Sequence, residues 1–169
     1  MIQAIKNRRS IRKYAPEGLT KEQLNDIYRS AMFAPTARHM RAWQFITVTD
    51  KDLITKLSKM KPHSMFANNA PAIIVLCSED WQYWVQDLSI VCAHIYLAAT
   101  DLGLGTCMVE VYDSKTTDQK SAEDYVRNIL NIPADIRILG FMPIGYPAET
   151  HPAHTDTEFE LAKIHNNTW

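Results

Sequence analysis

Apolar residues recur along this chain with two distinct periods. After Thr20, Leu24, Ile27, Tyr28, Ala31 and Met32 fall at helical spacing. Thr20 and Gln23 stand at capping-box spacing, so the helix opens there. It stops near Ala34, because Pro35 disfavours helical geometry in the residue before it. A shorter helix is predicted over Ile2–Asn7. Gln44–Thr49 (QFITVT) is β-branched and alternating, which predicts a strand, and Asp50 is placed to cap a helix running to about Met60. Ala72–Cys77 (AIIVLC) is a continuous apolar run behind Pro71 and suits a strand covered on both faces.

The longest pattern is helical, from about Asp80 to Leu102, and Gly103 stops it as a C-cap. Trp84, Val85, Leu88, Val91, Cys92, Ile95, Tyr96 and Ala99 cover well over one face of it. A helix apolar most of the way round is buried on most sides. Two readings stay open: a central helix, or a helix at a subunit interface. Further on, Thr106–Tyr112 predicts a strand or extended loop and Lys120–Leu130 a helix. Ile136–Met142 (IRILGFM) predicts a strand and Pro143–Pro147 (PIGYP) a turn. Strands and helices that do not alternate strictly predict an α+β fold, a sheet covered by helices, in one domain over 1–169. A doubly wound parallel fold is the second choice.

Composition narrows the function classes. The chain has 169 residues, 22% charged, and a net charge of −1, so nothing global points to nucleic acid. The charge is uneven: Lys6, Arg8, Arg9, Arg12 and Lys13 crowd the first sixteen residues, which hold no acid. Three cysteines (Cys77, Cys92, Cys107) lie far apart without zinc spacing, which suits a reducing compartment and a cytoplasmic setting. No signal peptide is expected, since Met1–Ser10 is already charged. The apolar stretch around Val85–Leu102 contains Gln86, Asp87, His94 and Asp101 and makes a poor membrane span.

Three segments carry candidate chemistry. Arg8-Arg9-Ser10-Ile11-Arg12 gathers guanidiniums and a hydroxyl that can grip a phosphate, since the arginine fork matches phosphate oxygens; the plain alternative is a solvated basic helix end. Ala34–Trp43 (APTARHMRAW) links a helix to a strand and can lay its backbone against a flat ligand, or simply connect the two. Gly103-Leu104-Gly105-Thr106-Cys107-Met108 follows a helix and lacks a third glycine, the wrong context for a dinucleotide turn. His151 and His154 form either a metal pair or, more commonly for such spacing, part of a solvated tail; no metal site is expected. No nucleophile–base arrangement is visible. That fits a binding module, or an enzyme whose cofactor carries the chemistry.

Taken together, RRSIR, APTARHMRAW, GLGTCM, PIGYP and the terminal His165–Trp169 resemble, in order and spacing, the nitroreductase family of flavoproteins. The likeness covers nearly the whole chain. It implies a central, mostly antiparallel sheet covered by helices, and a homodimer with two FMN sites at the subunit interface, the long helix supplying much of that interface. By position, Arg8, Arg9, Ser10 and Arg12 would hold the phosphate and ribityl chain. Pro35, Thr36, Ala37 and His39 would approach from the other subunit, and Met108, Val109 and Glu110 would lie along the isoalloxazine ring. NADH or NADPH would reduce the flavin in one half-reaction, and a nitroaromatic, quinone or enone would reoxidise it in the other. The alternatives are a flavin-binding protein without turnover and a flavin-free dimeric scaffold. His39, Arg41 and Ala42 replace the family's usual Asn, Gln and Pro. The stretch His151–Glu160 lacks the Lys or Arg that helps many relatives bind the phosphate, which implies a looser grip on FMN.

Overall fold

Residues Ala72–Glu79 form the middle strand, β2, buried on both faces except at its last residue. The computed structural model describes residues 1–169. On one side β2 pairs antiparallel with β1 (Trp43–Val48), Trp43 opposite Ser78. On the other it pairs antiparallel with β5 (Ile136–Gly145), with a bulge at Leu76/Cys77. Two short strands, β3 (Gly105–Thr106) and β4 (Val109–Glu110), share the far edge of β5.

The period of two in β2 feeds two cores. Ile74 and Leu76 face helices α2 (Lys21–Met32) and α4 (Trp84–Asp101), meeting Ile27, Ala31, Leu88, Val91, Ile95 and Ala99. Ile73, Val75 and Cys77 face α3 (Lys51–Ser58) and α5 (Ala122–Leu130), meeting Ile54, Leu57, Ala122 and Val126. Each fully buried Ile or Leu there contributes roughly 1.5–3 kcal/mol. The result is the expected α+β architecture, an antiparallel sheet between helical layers. A short helix, α1 (Gln3–Asn7), precedes it and contributes no buried residue.

Local signals account for the helix ends. Thr20 and Gln23 form the capping box that starts α2. Asp50 accepts the Leu53 N–H at 2.9 Å, and Ser121 accepts the Asp124 N–H at 3.1 Å. At the end of α4, Gly103 takes φ +71 while the N–H groups of Leu104 and Gly103 bond back to Ala99 and Thr100. That is a Schellman cap, with Leu104 buried beneath it.

Several expectations need correction. The helix α4 starts at Trp84 instead of Asp80: Trp81 opens a turn, and Asp80 faces Arg137 at 3.3 Å. α3 ends at Ser58, two residues before Met60, and a 3-10 helix over Pro62–Asn69 follows it. The predicted Thr106–Tyr112 segment is divided into β3 and β4. Pro143–Pro147 is not a turn throughout, because β5 runs on through Pro143 to Gly145. Pro143, which has no N–H to give, stands opposite the gap between β3 and β4, where no ladder donor is needed. Its carbonyl accepts the Thr106 hydroxyl at 2.8 Å, and the Tyr14 hydroxyl oxygen lies 3.1 Å away.

α4 answers the two open readings in part. Its stripe Trp84, Leu88, Val91, Ile95 and Ala99 is buried on the sheet, while Ile90 and Ala93 on its outer side are exposed. No helix is long and apolar enough to cross a membrane.

Candidate functional site

The arginine segment begins where α1 ends. Arg8 leaves helical geometry at φ −57, ψ 123, and no helix resumes through Arg12. It is stitched to β3 by a parallel bridge between Ser10 and Thr106, with the Ile11 N–H donating to the Thr106 carbonyl at 3.1 Å. The Tyr14 hydroxyl donates to the Ile11 carbonyl at 2.5 Å, and burial pushes that phenol well above its ordinary pKa, which keeps the donor protonated. The Glu149 carboxylate receives the N–H groups of Arg12, at 2.5 Å, and Lys13, at 3.1 Å. Those bonds, the Arg12 one first, hold its carboxyl below the usual glutamate range.

Around this segment lies an open cavity of about 410 Å³ lined by Arg8, Arg9, Ser10, Arg12, His151 and Pro152. Arg9 is partly engaged: its Nε donates to the Pro152 carbonyl at 2.7 Å, and Glu158 lies 3.8 Å from its Nη2. Arg8 and Arg12 have no carboxylate within ion-pair distance. Their guanidiniums lie over the rings of Tyr96 and Phe66, at 5.3 and 5.8 Å from the ring centres.

The two histidines of the C-terminal segment each face a carboxylate. His154 Nδ1 lies 2.6 Å from Glu158, and its Nε2 lies 3.1 Å from the Arg8 carbonyl. The His154 bond, followed by the Thr155 N–H, lowers the Glu158 carboxyl. His151 faces Glu149 at 3.6 Å.

The segment Met108–Glu110 is brought to the same place. Two residues after the Ser10–Thr106 bridge, the Met108 N–H donates to the Tyr96 phenol oxygen at 2.7 Å. Burial raises the Tyr96 pKa, with the Met108 bond pulling the other way. β4 lies against Gly140, where an added Cβ would meet Met108 Cε at 2.3 Å and the Val109 carbonyl oxygen at 2.4 Å. Behind the strand, Lys61 donates from Nζ to the Glu110 carbonyl and to the Ser114 hydroxyl, each at 2.7 Å. Burial lowers the Lys61 pKa, opposed by Glu110.

Pro35, Thr36, Ala37 and His39 are not joined to this cluster. Their loop makes a short 3-10 turn, and Arg38, His39 and Arg41 take φ of 53, 56 and 51. Such values are uncommon away from glycine and need outside support. Within the loop the Thr36 hydroxyl oxygen accepts the Arg41 N–H at 3.3 Å, and from α4 the Asp87 Oδ1 accepts the Ala37 N–H at 3.0 Å. Asp87 and Tyr96 lie nine residues apart on α4, or about 13 Å along the axis. The two segments thus meet the same helix at different levels.

A model of the Nitroreductase family matches residues 5–83 and 59–146. The chain belongs to the nitroreductase family. It is 35% identical over 174 residues to a Methanothermobacter thermautotrophicus protein provisionally named NADH dehydrogenase/NAD(P)H nitroreductase, covering 100% of this chain and 87% of that one. An Archaeoglobus fulgidus protein of the same name is 31% identical, with 99% and 98% covered. Among solved structures, an FMN-dependent nitroreductase from Clostridium difficile R20291 superposes with a TM-score of 0.96 at 35% identity over the whole of both chains.

Within this nitroreductase-family chain, sequence reasoning missed Lys61, Asp87, Tyr96 and the placement of His151. An acid amid the apolar positions of a long helix was the available signal for Asp87. Tyr96 was hidden by being counted as apolar, and nothing in the sequence marked Lys61.

Proposed function

We propose that this chain is an FMN-dependent NAD(P)H oxidoreductase that works as a homodimer with two flavin sites at the subunit interface. The observation that carries the reading is the pair Arg8 and Arg12, two guanidiniums without carboxylate partners on an open cavity beside Ser10. That donor set fits a phosphate dianion, which accepts bidentate, charge-assisted bonds. The names of similar proteins, which refer to FMN and NAD(P)H, support the same reading.

In this proposal Arg8 and Arg12 grip the phosphate, Ser10 adds a hydroxyl, and Arg9 lends charge while it stays tied to Pro152. Met108, Val109 and Glu110 flank the ring, and the N–H near Glu110 is offered to it. Tyr96 and Lys61 fix that strand from either end. Pro35, Thr36, Ala37 and His39 serve the site of the other subunit, consistent with half-sites set apart along α4. The chemistry bound FMN supplies is two-electron transfer, from NADH or NADPH in one half-reaction and to an electron-poor nitroaromatic, quinone or enone in the other. No side chain need act as general acid or base. The proposed compartment is the reducing cytoplasm, on the scattered, unpaired cysteines.

The test is a visible spectrum of the protein after addition of FMN and desalting, with the Arg8→Ala/Arg12→Ala double variant beside it. A retained flavin spectrum, lost in the double variant, supports the proposal. Retention by both sinks the phosphate assignment, and retention by neither sinks the cofactor. Steady-state NAD(P)H oxidation with menadione then checks turnover.

A further inference from the structure

Resting on the FMN reading above, we infer that His151 is a fourth cationic ligand for the flavin phosphate, one whose charge follows pH. His151 lines the same cavity as Arg8, Arg9, Ser10 and Arg12. Lys163 and His154 of the C-terminal arm are engaged elsewhere, and His165 stacks on Trp169. Lys163 pairs with Glu160 at 2.6 Å, and His154 lies between Glu158 and Arg8. His151 faces only Glu149 among the carboxylates, at 3.6 Å, and its side chain is 42% exposed.

Glu149 sets the geometry. One oxygen, Oε1, holds the N–H groups of Arg12 and Lys13, and the other, Oε2, faces His151. A single carboxylate therefore orients the arginine segment and the imidazole toward one space. The charged groups that share this space with His151 are Glu149, Arg8, Arg9 and Arg12. A phosphate dianion entering that space adds negative charge beside the imidazole and shifts the balance toward the imidazolium. Binding then takes up a proton. Affinity is high where imidazoles are protonated and falls as pH rises through the imidazole range. The second ionisation of a phosphate ester, near pH ~6, acts with the opposite sign, so the two are separable.

The experiment measures the Kd of FMN and of riboflavin, which lacks the phosphate, by flavin fluorescence at about pH 6.5 and about pH 8.5. Wild type, His151→Ala and His151→Lys are compared. For wild type, FMN should bind about tenfold more weakly at the higher pH, the scale of one charge-assisted hydrogen bond. His151→Ala should bind FMN about tenfold more weakly at the lower pH and lose the slope; His151→Lys should bind tightly at both. Riboflavin should show no pH dependence in any of them. An unchanged Kd and slope in His151→Ala overturns the inference and leaves the cofactor standing. A riboflavin shift as large as that of FMN also overturns it. Failure of all three proteins to bind FMN removes the cofactor reading itself, and this inference with it.

Discussion

The phenol oxygen of Tyr96 accepts the backbone N–H of Met108 at 2.7 Å, and that bond joins the long helix to the strand beside the arginine cavity. The ring of the same tyrosine lies under the Arg8 guanidinium. One side chain thus fixes the distance between the phosphate end and the ring end of the proposed flavin site. Tyr96→Phe keeps the ring and removes the acceptor, leaving the Met108 N–H unpaired. The expected cost is about 1–3 kcal/mol of unfolding free energy, with weaker FMN binding. Urea denaturation and FMN titration check both. An unaltered FMN Kd would show that the bond does not position the strand.

Gly140 is required by a close approach, and a substitution reads it out. The added Cβ of Gly140→Ala would lie 2.4 Å from the Val109 carbonyl oxygen, which is backbone and does not swing away as the Met108 side chain can. β4 must therefore shift away from β5. Overpacking of this kind costs typically about 1–3 kcal/mol. The measurement is thermal unfolding with and without FMN. The expected outcome is a lower Tm and a smaller FMN-induced rise in Tm. A variant that matches wild type in both would mean that β4 has room that the geometry denies it.

Most of the architecture was legible because it depends on period and caps. The Thr20–Gln23 box, the apolar run of β2 and the Gly103 cap each act within one short segment, and each is found where the pattern put it. The path of β5 was not legible, because the proline in PIGYP reads as a breaker. Only the gap between β3 and β4, a feature of another part of the chain, makes Pro143 harmless. The site divides in the same way. Arg8–Arg12 stood out as charge density, whereas His151 became part of it only when Glu149 folded the arm back onto Arg12 and Lys13. A contact spanning 137 residues leaves no local signal.

The Glu149 contact carries a pH dependence whose sign is fixed. Its folded-state pKa is depressed, chiefly by the Arg12 N–H. The stability it contributes is present above the ordinary glutamate value and is lost as pH falls through the lower, folded value. Glu149→Gln should therefore be destabilised at neutral pH by about 1–3 kcal/mol, the worth of bonds to a charged acceptor. The gap to wild type should close in acid, once both side chains are neutral. Chemical denaturation across a pH series tests this. A gap that stays constant down to the acid limit would rule out the ionised carboxylate as its source.

Asp87 makes the last case, because its two oxygens are unequal. It is only 5% exposed, Oδ1 holds the Ala37 N–H, and Oδ2 has no partner. The bond to Ala37 anchors the start of the turn that carries Arg38, His39 and Arg41 at positive φ. Asp87→Asn keeps an acceptor in place and removes a charge from a buried setting, so it should be close to neutral in stability. Asp87→Ala removes the acceptor as well. It should cost about 1–3 kcal/mol and release the loop, seen as faster hydrogen exchange over residues 36–41 with little change in β2. Equal exchange rates in Asp87→Ala and wild type would mean that the loop holds its conformation without the helix beneath it. The proposed contribution of Thr36, Ala37 and His39 to a neighbouring flavin site would then need another support than α4.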